Sequence, residues 1–379
     1  MNVKWIKRAG FRLGLVNPWF FRNFVRPMAY KIVEGDAERV HEIALETMAA
    51  NKDIIRDVAS QFYYPNLKVT FCGKSITPFG TSAGLDKNAD ALEPLSYIFG
   101  FHEFGTVVVN PREGNKRPRV VADAKARIVY NAQGFPQKGL EYTLKKVRKY
   151  REDGGKGTLL ANICGLPPEV DKIQIAHQEL RQLVSSLEPY VEGLVWNPYS
   201  PNTAALKMLR TPEEFKHSAE IITDCAPEKP IFVKMGPYED CPEEQEPWLK
   251  LAHAWTQGGG TGFVAVNTKM VNAEKVPLKE WGYPSAGKSG KALQDYRRRA
   301  ISDLRKTFPD AEIIATGGID SGNEAWDSFS RGANVVAGYT PYIFEGFGLQ
   351  RNIAREIQNN LSLLNYDTLV EFQANKYRL

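Results

Sequence analysis

Cysteine is scarce in this chain of 379 residues: Cys72, Cys164, Cys225 and Cys241 are the only four, and no two form a CxxC pair. That argues against a disulfide framework or a cysteine zinc site and points to a reducing compartment. The five histidines (His41, His102, His177, His217, His253) share no metal-ligand spacing, so no metal is expected. No run of 18 consecutive apolar residues occurs, which excludes a transmembrane helix. No GxGxxG follows an early apolar run, which disfavours an open dinucleotide-binding sheet. Acidic residues are absent from the first 33 positions, although the chain has 44. That stretch holds seven of the 49 basic residues (Lys4, Lys7, Arg8, Arg12, Arg22, Arg26, Lys31), which leaves the remaining 346 positions nearly neutral at 42 basic against 44 acidic. With 43% hydrophobic and 25% charged residues the chain can bury a large core and is not disordered. On a prior of roughly 100–200 residues per domain, its length suits two domains or one α/β barrel with additions.

The basic segment has a pattern of its own. At about 100° per residue, Trp5, Ile6, Ala9, Leu13 and Val16 share a sector and Lys4, Lys7, Arg8 and Arg12 oppose it, with Phe11 and Leu15 interrupting the polar face. Charges interleaved with apolar residues do not make a cleavable signal peptide. Asn17-Pro18 ends this helix. A second cluster, Trp19-Phe20-Phe21-Arg22-Asn23-Phe24-Val25-Arg26, combines aromatic bodies with basic heads. Such a cluster suits the headgroup layer of an anionic membrane, where each basic residue contributes about 1 kcal/mol. Packing against the main domain with a solvated basic face is the bland alternative and an RNA-binding arm a third; no nucleic acid is taken as partner. Asp36 is the N-cap of a third helix over 37–50, with Val40, Ile43, Ala44 and Met48 on one face. The division expected is 1–51 as a helical, membrane-associating extension and 52–379 as the main domain.

From residue 76 onward, short apolar runs alternate with helical stretches. Eight are strand candidates: 79–83, 103–109, 158–163, 193–196, 231–234, 262–267, 312–316 and 334–337. Between and after them lie amphipathic stretches such as 212–225, 243–257, 293–306, 323–331 and 349–361. Eight βα units in this length predict a (β/α)8 TIM barrel. In that fold the site lies at the C-terminal ends of the strands, and nearly every run ends in a polar group: Asp86-Lys87, Thr106, Asn162, Asn197 with Ser200 and Asn202, Lys234, Asn267-Thr268, Gly317-Gly318, and Tyr339-Thr340. Amides and ammonium groups without a carboxylate cluster suit a polar, planar, anionic ligand. Glycines after the seventh and eighth runs suit a barrel phosphate cup.

These residues resemble the dihydroorotate dehydrogenases, and within them class 2, the membrane-associated quinone-dependent form. The resemblance runs from about Phe24 and rests on Ala83-Gly84-Leu85-Asp86-Lys87-Asn88, Gly105-Thr106-Val107, Pro118-Arg119, Asn131 with Gly134-Phe135, Asn162-Ile163, and the run from Asn197 through Ser200-Pro201-Asn202-Thr203. It continues in Val233-Lys234, Asn267-Thr268, Ser289-Gly290, Gly317-Gly318-Ile319 and Tyr339-Thr340. It implies an FMN enzyme of pyrimidine biosynthesis that oxidises dihydroorotate to orotate and reduces a membrane quinone. Ser200 would be the catalytic base, with Thr203 and Phe135 as candidates for its relay to solvent. Lys87, Asn131, Gly134, Phe135, Asn197, Asn202, Asn267 and Thr268 would bind substrate. Ala83, Gly84, Lys87, Thr106, Asn162, Asn197, Lys234, Val266, Gly290, Gly318, Tyr339 and Thr340 would bind the flavin. His41, in Asp36-Ala37-Glu38-Arg39-Val40-His41-Glu42, would line the quinone tunnel. The resemblance places the protein on the cytoplasmic face of the cell membrane, as a peripheral protein.

The chain departs from the family pattern at several positions. Val266 replaces a threonine and removes one flavin hydrogen bond, and Lys269 stands where a second threonine is common. The run usually reading NRMGFNN is Asn131-Ala132-Gln133-Gly134-Phe135-Pro136-Gln137, Cys164-Gly165-Leu166 replaces polar residues, and Pro198-Tyr199 replaces small ones. These departures keep two rivals open: an FMN barrel oxidoreductase with another substrate or acceptor, and a non-catalytic membrane-bound flavoprotein.

Overall fold

The structure is a computed structural model describing residues 3–169, 172–199 and 204–376. Eight parallel strands close into a barrel in chain order: β1 (Phe79–Thr81), β2 (Phe101–Val107), β3 (Thr158–Ile163), β4 (Gly193–Trp196), β5 (Ile231–Met235), β6 (Gly262–Ala265), β7 (Glu312–Thr316) and β8 (Val335–Gly338), with β8 pairing back to β1. They are the eight anticipated runs, with ends moved by a few residues. The runs were apolar throughout because a barrel strand is covered on both faces, by its interior and by the helices; every residue of β3 and β5 is buried. The helices between them follow the 3.6-residue pattern, and Pro212–Cys225 and Gly322–Arg331 begin at side-chain caps from Thr211 and Ser321.

A short hairpin, Val69–Phe71 with Lys74–Ile76, precedes β1 and closes the barrel floor. The fully buried Phe71 packs its ring 5.2 Å from Phe101 and 5.8 Å from Phe232. Gly80 is needed beside them, since a Cβ there would come within 2.3 Å of the Phe101 ring. The Phe71 ring thus plugs the barrel floor, and the polar strand ends face the opposite rim.

Two insertions, after β2 and after β6, form an antiparallel sheet that the sequence did not announce. Its order is Lys269–Asn272, Ser285–Gly290, Ile128–Asn131, Val120–Asp123. These strands are four to six residues long and mostly half-exposed, so they lack a clean apolar alternation. They carry Asn131 and Gly290 to the rim.

The second half of the amino-terminal helix packs against the main domain. In Val3–Val16, Leu15 is buried and Phe11 packs on the core, whereas Ala9 and Leu13 are exposed. Val16, from the same sector as Ala9 and Leu13, also packs on the core. Asn17 caps Pro18–Phe20 through the Phe20 N–H, 3.1 Å away. The next turn, Phe21–Val25, is π-helical, which suits Pro27: proline has no N–H and its ring crowds the carbonyl four residues back. The helix Ala37–Ala50 has the expected bounds and the Asp36 cap. Its buried positions are Glu38 and Met48, however, and Ala44 is exposed. Glu38 can face inward because the Arg119 guanidinium meets it at 2.9 Å. No described helix is long and apolar enough to cross a membrane.

Phe71→Ala should cost about 3–5 kcal/mol by opening a cavity in the floor, read as a lower urea midpoint. An unchanged midpoint would mean that the hairpin only covers the barrel.

Candidate active site

The rim is organised by one carboxylate. Glu103 lies in the middle of β2, between the apolar Phe101 and the turn at Gly105, and is completely buried. Its Oε2 accepts the Ala83 N–H at 3.0 Å; its Oε1 accepts the Asn162 amide at 2.6 Å and lies 3.4 Å from Lys234 Nζ at the end of β5. From there a chain of hydrogen bonds crosses the mouth. The Thr106 hydroxyl donates to Asn162 Oδ1 (2.5 Å), Asn197 Nδ2 donates to Thr106 (3.0 Å), and Asn267 Nδ2 donates to Asn197 Oδ1 (2.9 Å). Because a carboxylate only accepts, it fixes which way every amide in the chain points. Thr268 ends the series. Its N–H donates to Asn267 Oδ1 at 2.7 Å, and among the described residues its buried Oγ1 has no hydrogen-bond partner.

On the far side of the mouth, three segments make a glycine-rich cup: Ser289-Gly290, Gly317-Gly318-Ile319 and Tyr339-Thr340. Gly290, Gly317 and Gly318 have φ of +83°, +103° and +70°, which side-chain-bearing residues rarely adopt. The Gly317 carbonyl is held by the fully buried Arg297 (Nη1, 2.6 Å), and the Gly318 carbonyl by Gln294 Nε2 (2.9 Å). A planar trans peptide then turns the N–H groups of Gly318 and Ile319 the opposite way. Thr340 donates to Ser289, whose hydroxyl is itself committed to the Val129 carbonyl.

The cup and the asparagine chain line adjoining cavities. Ala83, Lys234, Asn267, Thr268 and Tyr339 face both; Val266, Gly290, Gly318 and Thr340 belong to the cup side. Gly84, Lys87, Thr106, Asn131, Gly134, Phe135 and Asn197 belong to the other. Phe135 holds φ +59°, backbone strain spent at this rim. Asn162 lies one layer below, its amide shared between Glu103 and Thr106. Ser200 and Asn202 fall outside the described residues, as does Thr203. The preceding Tyr199 is fixed, with the Arg210 guanidinium 4.7 Å from its ring centroid.

Lys87 also faces a second chamber, of about 770 Å³, between helix Ala37–Ala50 and the loop after β2. Burial pulls its ammonium below the ordinary lysine range, while Glu38 acts against that. His41 stands here: its Nε2 is 2.7 Å from the Leu85 carbonyl, so that nitrogen carries the proton, and its ring meets Tyr339 edge-on at 5.5 Å. Burial, then the charge of Lys87, lowers His41 to a pKa of about 4, so it is neutral near pH 7. Behind the Lys87 loop, the buried Asp86 accepts the N–H groups of Asp90 and Ala91 at 2.8 Å each and lies 3.4 Å from His102 Nε2. Burial works against its ionisation, yet His102 and those amides hold its carboxyl below the usual range. Among the described residues, no cluster of histidine, cysteine or carboxylates is placed to hold a metal.

Sequence reasoning missed Glu103 and the pair Glu38–Arg119, though a signal existed for the first: a glutamate inside an apolar strand, at the parity that faces the barrel interior. Arg297 and Gln294 gave no such signal, since both read as ordinary helix residues.

The fold and rim define a (β/α)8 barrel protein with a donor-lined, glycine-cupped site. The family model for dihydroorotate dehydrogenase matches residues 66–361. Relatives named "Dihydroorotate dehydrogenase (quinone)" include those of Salinispora arenicola, 28% identical with 88% of this chain and 98% of that protein covered, and of Coxiella burnetii, 30% identical with 73% and 80% covered. The crystal structure of DHODH from Eimeria tenella in complex with ferulenol superposes with a TM-score of 0.78 at 25% identity, covering 91% of this chain and 96% of that one. The chain belongs to the dihydroorotate dehydrogenase family, as a divergent member of class 2.

Glu103→Gln replaces the carboxylate with a group that donates as well as accepts, and it strands Lys234 without a counter-charge. The loss should be about 3 kcal/mol in urea unfolding. A variant as stable as the parent would show that the carboxylate does not organise the rim.

Proposed function

We propose that this protein oxidises dihydroorotate to orotate with bound FMN and passes the electrons to a membrane quinone. The observation that carries the reading is the chain Asn267–Asn197–Thr106–Asn162–Glu103, which presents fixed amide dipoles beside Lys87 and Lys234 in a chain of this family. The residues fit the flavin: the positive-φ glycines let the backbone segments of the cup approach closely, its peptides are turned by Arg297 and Gln294, and the Thr268 hydroxyl, without a partner among the described residues, belongs to the cavity lining. FMN, when bound, supplies the hydride acceptor and the route of electrons to the quinone.

The chain's own residues supply binding and proton control. The N–H groups of Gly318 and Ile319, with Gly290 and Thr340, would hold the phosphate. Lys234, 3.4 Å from Glu103, would face the ring edge where negative charge develops on reduction. Lys87, Asn131, Asn197, Asn267 and Thr268 would hold the substrate ring and its carboxylate, so an analogue lacking those groups strands buried dipoles. Ser200, in the loop after β4, would take the ring-carbon proton, and a serine hydroxyl needs a relay to do so. His41, with its lone pair on Nδ1, would meet the quinone beside Tyr339.

The membrane reading rests on the exposed face of the amino-terminal segment. Leu13, Trp19, Phe24, Met28 and Ile32 are 42–71% exposed, and Phe24, Met28 and Ile32 recur every four residues along one helical face. Arg8, Arg12 and Lys31 are exposed in the same segment. Apolar bodies flanked by cations suit the cytoplasmic surface of an anionic cell membrane.

The purified protein should be yellow and bleach anaerobically with dihydroorotate, and Ser200→Ala should slow bleaching by about 10²–10⁴-fold. A parent that does not bleach, or a variant that bleaches at the parental rate, overturns the assignment. Binding to anionic vesicles should weaken between roughly 150 and 500 mM salt and fall further in Phe24→Ser/Met28→Ser; binding indifferent to both would remove the membrane role.

A further inference from the structure

The three segments of the cup come from distant parts of the chain, and one residue, Arg127, reaches the chain beside each of them. Arg127 Nη1 is 2.6 Å from Glu345 Oε1, at the end of the helix Thr340–Glu345 that starts in the cup. Its Nε is 3.4 Å from Asp320 Oδ2, two residues past Gly318. Its carbonyl accepts the Lys291 N–H at 3.1 Å, and a Cβ on Gly290 would come within 2.3 Å of that oxygen. One residue therefore holds the chain that continues from each of the three segments.

Glu345 is almost fully buried and has a second cation, Arg22, with Nη1 3.3 Å from both carboxylate oxygens. Arg22 belongs to the π-helical turn Phe21–Val25 of the amino-terminal segment. The same segment lies along the rest of this wall. Phe21 fills the space beside Gly346, where a Cβ would be 2.7 Å from its ring, and the Arg26 guanidinium is 5.2 Å from the Phe344 ring centroid. Two guanidiniums thus serve two carboxylates. Arg127 is closer to Glu345 than to Asp320, so its hold on Asp320 is the weaker of the two, and Arg22 supplies Glu345 with a second counter-charge.

We infer that Arg127 is a positioning residue for the phosphate cup, and that Arg22, through Glu345, makes docking of the amino-terminal segment tighten the cup on a flavin phosphate. The inference rests on the flavin reading given above. The test follows FMN release from the full-length holoprotein by recovery of free-flavin fluorescence. Arg127→Lys keeps the charge but lacks the fork that spans two carboxylates, and Glu345→Gln keeps the shape; each should release FMN about tenfold faster. Arg22→Gln, half-exposed and safe for folding, should accelerate release about threefold alone and have no effect on top of Glu345→Gln. Release within about twofold of the parent in both Arg127→Lys and Glu345→Gln overturns the positioning role. An Arg22→Gln effect that is absent, or equally large in the Glu345→Gln background, overturns the link to the amino-terminal segment. A parent that binds no FMN overturns the flavin reading itself, and this inference with it.

Discussion

A buried carboxylate that can only accept hydrogen bonds dictates the chemistry of this rim. Asparagine and threonine side chains are ambivalent, each able to donate or accept, and a ring of them alone would have two hydrogen-bond polarities of similar energy. Glu103 removes that freedom. Once Asn162 must present its NH2 to the carboxylate, Thr106 must donate, Asn197 must turn its NH2 toward Thr106, and Asn267 must follow. The cost of placing a charge in the barrel is offset by Lys234 and the Ala83 amide. The result is a set of dipoles fixed before any ligand arrives, which is the form of electrostatic preorganisation that catalysis uses best.

The parts of the fold that could be read from sequence were those where one physical rule acts alone. Barrel strands are covered on both faces, so they appear as apolar runs, and their polar last residues mark the mouth. The Asp36 cap and the periodicity of 37–50 gave that helix its bounds. Where two demands compete, the pattern blurs. The helix Val3–Val16 packs Phe11, Leu15 and Val16 on the core while leaving Leu13 outside, so its buried positions do not follow one apolar sector. Glu38 reads as a surface residue until Arg119, 81 positions away, is brought against it. The outer sheet was invisible because its strands are short and half-covered.

The family departures acquire local reasons. Tyr199, where small residues are usual, lies over Gly236, whose missing side chain admits its ring, and against Arg210, so bulk in one loop is matched by space in the next. Lys269 pairs with Glu239 at 2.5 Å and lies 5.3 Å from the Tyr296 ring centroid, tying the outer sheet to the neighbouring helix. Val266 keeps only backbone bonds, its N–H to Thr316 and its carbonyl from the Thr316 hydroxyl. These substitutions leave the asparagine chain intact.

The outer sheet also bears on the order in which the protein forms. Its central pairing joins Ser285–Gly290 to Ile128–Asn131, and the Ser289–Val129 contact spans 160 positions of chain. Such a contact has a high loop-closure cost and gains little until the intervening βα units have condensed. The pairing of β8 with β1 that closes the barrel bridges a still longer stretch of chain, so barrel and rim share the same late, non-local closure. A ligand held at the rim therefore binds only chains whose barrel has closed and whose outer sheet has paired, and it stabilises both at once.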